Sequence, residues 1–573
     1  MPQRDLAFDV ETDLLVVGAG AAGMTAALVG ALEGLQVILC EKSDMVGGTT
    51  ATSAGTVWIP GNRQGERAGT PDTVAAARTY LAAMLGEHAA DPRLDMFLKA
   101  GPIVLDYLER KTSVRFAAPP VHPDYKNLPG AAIGGRALGA VPFDGRKLGR
   151  DFARVRPPRR EFMVLGGMMV GKADIPALLA PFGTLTNFRH AAGLLARHAL
   201  DRISYRRGTR LIMGNALVAR LLASIRCAGV DLRFETGLSD IICDGDEVVG
   251  AVLSSPAGEM RMRARKGVVL ATGGIGWSRE LRERLFPEAA HRYSLAPPSN
   301  TGDGILAAER INADIDSDLD SPALWMPSSV MTHPDDHVSI FPHIMLDRAK
   351  PGLLAVNPTG RRFVNEADSY HDFVAAMLRS NASTSAAAPA FLICDRTFIR
   401  DFGIGLVHPG TKDLNTYLQA GYLIEGETID QLAHKIDVDG EQLAQTVERY
   451  NRHAQTGIDD DFGRGSSALN RFNGDPLTTP NPCLRRIGPG PYFAVAVWPS
   501  DLASSAGLRT DSYARVVSHD GKILPGLYAA GTDSSSIFRG TYPGPGTMIG
   551  PAIVFAWCAA MDAAGALRRF SLY

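Results

Sequence analysis

Cysteine is scarce in this chain and scattered. The six in 573 residues are Cys40, Cys227, Cys243, Cys394, Cys483 and Cys558, and no two stand at Cys-x-x-Cys spacing. This argues against a zinc site, an iron–sulfur cluster or a disulfide framework, so no metal is expected, and it suits a reducing cytoplasm. Neither sign of charge prevails: 59 Lys and Arg face 61 Asp and Glu. With no basic face interleaved with aromatics, nucleic acid is not an expected partner. No uninterrupted apolar run is long enough to span a bilayer. The first strand starts near Asp13 behind charged residues, which leaves no expected signal peptide.

What the chain does have is glycine in ordered places. Asp13-Leu14-Leu15-Val16-Val17 runs straight into Gly18-Ala19-Gly20-Ala21-Ala22-Gly23 and an Ala-rich stretch. This strand, Gly-rich turn and helix carry the G-x-G-x-x-G spacing of a dinucleotide site. Gly18 makes the tight turn, Gly20 lets backbone reach a pyrophosphate, and Gly23 permits close helix–strand packing, with the helix N-terminus attracting phosphate. A second strand, Gln36 to Cys40, ends in Glu41, where an acid takes the adenosine ribose hydroxyls, and Lys42 follows.

The stretch Gly47 to Gly55 is made of small residues that can lie along an extended cofactor, which favours FAD over NAD. Val268-Val269-Leu270-Ala271-Thr272-Gly273-Gly274 reads as a late strand returning to the nucleotide. Asn300-Thr301-Gly302-Asp303-Gly304 reads as a turn opening a helix, and Gly531-Thr532-Asp533 as a closing turn from the far end. The residues expected along FAD are therefore Gly18, Gly20, Ala22, Gly23, Glu41, Lys42, Gly48, Thr49, Thr50, Ser53, Ala271, Thr272, Gly273, Asp303, Gly531, Thr532 and Ile549.

Near the C-terminus, Tyr542-Pro543-Gly544-Pro545-Gly546 places a phenol a few residues from amides without side chains. One O–H and one N–H converging on a ketone oxygen would stabilise the negative charge that builds there during enolate chemistry. The alternative is a tight turn before the apolar helix Ala552 to Ala560.

Length and the positions of the nucleotide turns imply more than one core. The expected class is α/β with an α+β cap: a Rossmann-like FAD domain at 1–324 and 489–573, split by a catalytic or cap domain at 325–488. The cap would hold a strand Arg361-Arg362-Phe363-Val364-Asn365-Glu366 and a helical stretch Glu441 to Ala454.

At 13–62, 266–304, 352–373 and 490–562 the chain resembles the succinate dehydrogenase/fumarate reductase flavoprotein superfamily and, within it, the 3-ketosteroid Δ1-dehydrogenases. The Tyr-Pro-Gly-Pro-Gly run is the most specific part of the resemblance. It implies that Tyr542 O–H and Gly546 N–H bind a C3 carbonyl, that Tyr370 removes the C2 proton, and that Tyr125 supports Tyr370. Gly134-Gly135-Arg136 follows Tyr125 at a displaced spacing. The implied reaction is FAD-dependent 1,2-desaturation of a 3-ketosteroid, with the C1 hydrogen leaving as hydride to flavin N5 and electrons passing to a quinone or other acceptor.

Two other reactions stay open: the same desaturation on a smaller cyclic ketone of the cyclohexanone type, and fumarate-reductase-like reduction of an unsaturated acid. The missing His, Arg and Asn-Arg-Leu-Gly-Gly residues disfavour the latter. A non-catalytic flavin-binding protein is the third reading. Arg146 to Arg160 reads as a solvated basic loop, and Phe162 to Val170 as a Met-rich core stretch; together they offer a lid or a weak membrane contact. His333, His337 and His343 read as surface or cap histidines without a carboxylate partner, with His371 as a neighbour of Tyr370.

Overall fold

Branched apolar residues make the first strand, β1 (Val10–Val17), whose last four residues are buried. It delivers the chain into α1 (Ala21–Leu32), buried for most of its length, which returns to β2 (Val37–Cys40) beside β1 in parallel register, Leu14 opposite Val37. The other neighbour of β1 comes from far along the sequence: β3 (Gly258–Leu270) runs parallel to it, Val16 opposite Val269. These properties come from a computed structural model that describes residues 7–345, 347–382 and 389–570.

Strand β3 serves two neighbours in turn. Its first half pairs antiparallel with the strand Glu247–Ser255, and its end pairs parallel with the strand Ile523–Ala529, Val268 opposite Leu527. The C-terminal part of the chain therefore returns to the nucleotide sheet, which has eight strands among the described residues.

A second sheet is built around a long strand. In it β4 (Ala323–Thr332) pairs with β5 (Tyr492–Ser504), which also pairs with the strand Ala390–Asp395. Sequence reading placed the change of domain at 488/489, yet the 13 residues of β5 belong to this second sheet. We propose that the chain re-enters the FAD-binding part only after Ser504.

The elements that carry the site pack against these sheets, one helix on each. Helix α2 (Tyr370–Asn381) starts at Tyr370, with the Ser369 side chain capping its N-terminus by accepting from Asp372 N–H at 3.1 Å. Helix α3 (Ile549–Ala563), apolar on nearly every face, packs against α1. The expected helix at 441–454 is present as Gly440–Thr456.

The expected strand at 361–366 is not one. Its polar groups are taken by side chains instead of a ladder: Arg361 N–H donates to Asn357 Oδ1, Arg362 pairs with Glu366 at 2.8 Å, and Glu366 accepts Ala355 N–H at 3.0 Å. A charged network of this kind fixes an irregular backbone just before Tyr370. No described helix is long and apolar enough to cross a membrane.

Candidate active site

One cavity of about 1180 Å³ runs from the Gly18 turn to the three expected tyrosines. That exceeds the roughly 300–1,000 Å³ of a single small-ligand pocket, and accommodates a dinucleotide with a second molecule at its end. Every residue expected along FAD lines it except Gly23. Gly23 works behind the wall: a Cβ there would stand 1.7 Å from Gly18 O, so the residue lets α1 approach β1. Gly20 is the opposite case, because a Cβ there would meet nothing within 4 Å and would enter the cavity itself. That open cradle at a helix N-terminus fits a pyrophosphate.

The remaining nucleotide-end residues hold one another in place. Glu41, expected to take ribose hydroxyls, lines the cavity while accepting Ala19 N–H at 2.9 Å and the Ser43 hydroxyl at 2.8 Å. Lys42 and Asp303 form a 2.8 Å ion pair, and Lys42 also donates to Thr301. Thr50 Oγ1 accepts Ala21 N–H at 3.2 Å. Asp533 is fully buried and accepts from Thr272 N–H at 2.5 Å and Gly274 N–H at 2.9 Å, locking the C-terminal turn to the end of β3. Its position in Gly531-Thr532-Asp533 was legible, but its clamping role depends on a partner 259 residues away.

At the other end the three tyrosines meet. Tyr125 O–H donates to Tyr370 Oη at 3.2 Å, and Tyr370 O–H donates to Tyr542 Oη at 2.8 Å. The rings of Tyr125 and Tyr542 stack with centroids 5.2 Å apart, and Tyr370 meets both edge-on. All three are buried and line the cavity. Burial pushes the Tyr542 phenol up to about 12 and raises Tyr125 and Tyr370 well above the ordinary range; in Tyr370 its two phenolic neighbours add to the rise. Arg348 acts on Tyr125 in the lowering direction.

Gly546 lines the cavity with a positive φ of 98°, and its N–H has no partner among the described residues. A Cβ on it would stand 2.7 Å from Trp58 N. Gly544 plays another part than expected: its missing Cβ makes room for Trp58 Nε1 and the Asp124 carboxylate, not for a ligand. Pro543 O accepts both Tyr125 N–H at 2.9 Å and Tyr80 O–H at 2.7 Å, so the backbone of the Tyr-Pro-Gly run carries Tyr125 with it.

Sequence reasoning missed the support beneath Tyr125. Asp124 accepts Trp58 Nε1–H at 2.8 Å and pairs with Arg136 at 2.7 Å, and Arg136 also pairs with Asp72 at 2.9 Å, all four side chains being buried. The displaced Gly134-Gly135-Arg136 was the available signal. His343 departs from its expected role as a cap histidine without a carboxylate: it is buried, with Nδ1 2.6 Å from Asp347 and Nε2 2.7 Å from Ser329. Asp347 lies four residues on, a spacing visible in the sequence. His371 is placed against the ring of Tyr542, 6.3 Å between centroids, and burial holds it neutral with a pKa near 4. Within the segment expected as a solvated basic loop, Arg159 instead lines the cavity; the expected core stretch 162–170 is core only in part, Met168 and Met169 being buried while Val164 and Leu165 at its hairpin turn are exposed.

The cavity's walls near the tyrosines are apolar, with Leu295, Met326, Ile344, Met345 and Met548 among them. A hydroxyl, a free amide N–H and a second phenol around one apolar space can grip a carbonyl oxygen and exchange a proton beside it.

Comparison with known proteins identifies the family. The FAD binding domain family model matches residues 13–549. A 4-oxocyclohex-2-ene-1-carboxylate 5-dehydrogenase of Sinomonas cyclohexanicum is 37% identical over 558 residues, covering 97% of this chain and 94% of that protein. A 3-oxosteroid 1-dehydrogenase of Mycobacterium tuberculosis is 35% identical over 571 residues, covering 97% and 98%. The crystal structure of a 3-ketosteroid Δ1-dehydrogenase from Sterolibacterium denitrificans, in complex with 1,4-androstadiene-3,17-dione, superposes with a TM-score of 0.90 at 34% identity, covering 97% of this chain and all of that one. The chain belongs to the 3-ketosteroid Δ1-dehydrogenase family of FAD-binding flavoproteins.

Proposed function

We propose that this enzyme desaturates a 3-ketosteroid between C1 and C2, beside the ketone. The observation that carries the reading is the hydroxyl relay Tyr125–Tyr370–Tyr542 at the apolar end of a dinucleotide-sized cavity. Support comes from relatives whose names specify that reaction and from a structural neighbour holding a steroid dienone. Bound FAD, held by the Gly18–Gly23 turn, Glu41, Thr50 and the Thr272–Asp533 clamp, would supply the hydride acceptor.

The protein's own residues divide the remaining work. Tyr542, last in the relay, keeps its O–H for the ketone oxygen, and Gly546 N–H is the second donor. Together they stabilise the oxygen as negative charge grows on it, which acidifies the adjacent C–H. Tyr370 takes the C2 proton and Tyr125 stabilises it through their hydrogen bond. Apolar walls exclude water from the charge as it forms. Because burial raises the Tyr370 pKa, little of it is ionised at neutral pH, so the step should quicken as pH rises.

A second reading keeps the chemistry on a single-ring ketone, and the relative at 37% identity carries a name of that type. The electrons would pass on to a quinone or a comparable acceptor. The exposed apolar side chains Leu179 and Phe182, a few residues after the cavity-lining residues 171–174, would give weak contact with a membrane holding apolar substrate. Mixing the FAD-loaded enzyme with androst-4-ene-3,17-dione or with cyclohexanone, and with a dye acceptor, tests the reading. Steroid-dependent dye reduction is expected, reduction only by cyclohexanone would establish the single-ring reading, and reduction by neither would refute both.

A further inference from the structure

We propose that Arg159 and Lys172 form a seat for a carboxylate carried by the ring-ketone substrate at a position remote from its carbonyl. The inference rests on the ring-ketone reading above and adds a feature to the substrate. Both side chains line the same cavity as the tyrosines. Arg159 enters it beside the apolar wall: Nη2 donates to Leu295 O at 2.8 Å and Nη1 to Ile340 O at 3.3 Å. Leu295 belongs to the cluster that contains Tyr125, Tyr370 and Tyr542, and Ile340 packs on it. The Lys172 Nζ sits 3.8 Å above the ring of Phe472.

Neither cation has an ion-pair partner among the described residues. The other carboxylates that line this cavity are engaged elsewhere. Asp174 is held by Arg210 at 3.0 Å and by His190 at 2.8 Å, and Asp501 by Arg282 and Ser294. Asp303 pairs with Lys42 at the nucleotide end, where Glu41 bonds the Gly-rich turn and Ser43. Glu161 lies near Arg159 and favours its charge, but outside ion-pair distance. Burial correspondingly holds both cations below their usual pKa.

Arg159 is half-buried in an apolar wall without a counter-charge, an unfavourable arrangement that persists more readily when a ligand provides one, whereas Lys172 is exposed and adds its charge from the rim. Of the five guanidinium N–H groups, two are used on backbone carbonyls. The others remain for a carboxylate, whose planar shape suits them, while the lysine adds an undirected point charge. A neutral ketone would leave the Arg159 guanidinium uncompensated beside it. The acid can be borne by a single ring or by the side chain of a steroid, and both present the same chemistry to this seat.

The test measures kcat/KM of the holoenzyme on matched pairs: 4-oxocyclohexanecarboxylate with its methyl ester, and a 3-ketosteroid side-chain acid with its methyl ester. The seat requires at least one acid to exceed its ester by tenfold or more, mainly through KM; which pair shows it identifies the scaffold. In an Arg159→Gln, Lys172→Met double variant that retains FAD, the ratio should fall close to one, and Arg159→Lys should preserve part of it. Equal use of acid and ester in both pairs would overturn the seat while leaving the ring-ketone reading intact, as would a ratio unmoved by the double variant. Failure of all four ketones to reduce the flavin would overturn both.

Discussion

The hydroxyl of Tyr370 lies 2.8 Å from that of Tyr542, although 172 positions separate them in the chain. One comes from the first turn of α2, the other from the loop before α3, and Tyr125 completes the relay from a third segment. Such a relay gives its members unequal weights. Tyr370→Phe removes the group that takes the proton and should lower kcat by about 10²–10⁴-fold. Tyr125→Phe leaves that group in place without its donor and should cost less. Steady-state rates of FAD-replete variants check the order; a Tyr125→Phe protein more impaired than Tyr370→Phe would reverse the assignment.

Alkaline pH should affect activity and stability in opposite directions. The three phenols are raised above the ordinary tyrosine value of about 10 when folded, Tyr542 to about 12. An unfolded tyrosine ionises near pH 10 while its folded counterpart stays protonated. Their contribution to stability is therefore complete below pH 10 and is lost as pH climbs from 10 through 12 and beyond. We expect Tm to fall across that range more steeply in the wild type than in a Tyr125→Phe, Tyr370→Phe variant, while kcat/KM still rises with pH up to the onset of unfolding. Thermal melts between pH 9 and 12 and initial rates between pH 7 and 10 measure both.

The acid side has a separate cause. His122 and His371 are held at about 4, below the ordinary histidine value of about 6.5, chiefly by burial. Depressed histidines contribute stability above pH 6.5 that disappears as pH falls toward 4. Replacing His371 with Gln should flatten the loss of Tm between pH 6.5 and 4, and an unchanged slope would show that its environment is not what sets it.

Two glycines of the same turn should fail differently. Gly20→Ala places a methyl in the open cradle, so the protein should fold, with near-normal far-UV circular dichroism, but copurify with much less FAD. Gly23→Ala drives its methyl into Gly18 O and should destabilise the apo-protein itself. Flavin absorbance and thermal melts of the two proteins separate the cases.

Much of this site was readable because local chemistry demanded it. A strand entering a Gly-rich turn, or a tyrosine beside Pro-Gly-Pro-Gly, states its constraint within a dozen residues. What stayed hidden was set by distant partners. The Asp72–Arg136–Asp124–Trp58 network forms only when four segments meet, and Asp533 looked like one more turn residue until its two amide donors arrived from the end of β3. The segment 361–366 resembled a strand by composition, but buried Arg–Glu pairing overrode the local pattern. Which sheet β5 joins was not legible either, because an apolar alternation shows that a strand exists without showing which sheet receives it.

The central claim, a ketone oxygen gripped by Tyr542, is tested most directly by anaerobic stopped-flow mixing of the FAD-loaded enzyme with a 3-ketosteroid, following the flavin band. In a Tyr542→Phe protein with full FAD content, bleaching should slow by about 10²–10³-fold, the usual effect of losing one oxyanion donor. Bleaching at the wild-type rate would contradict the account.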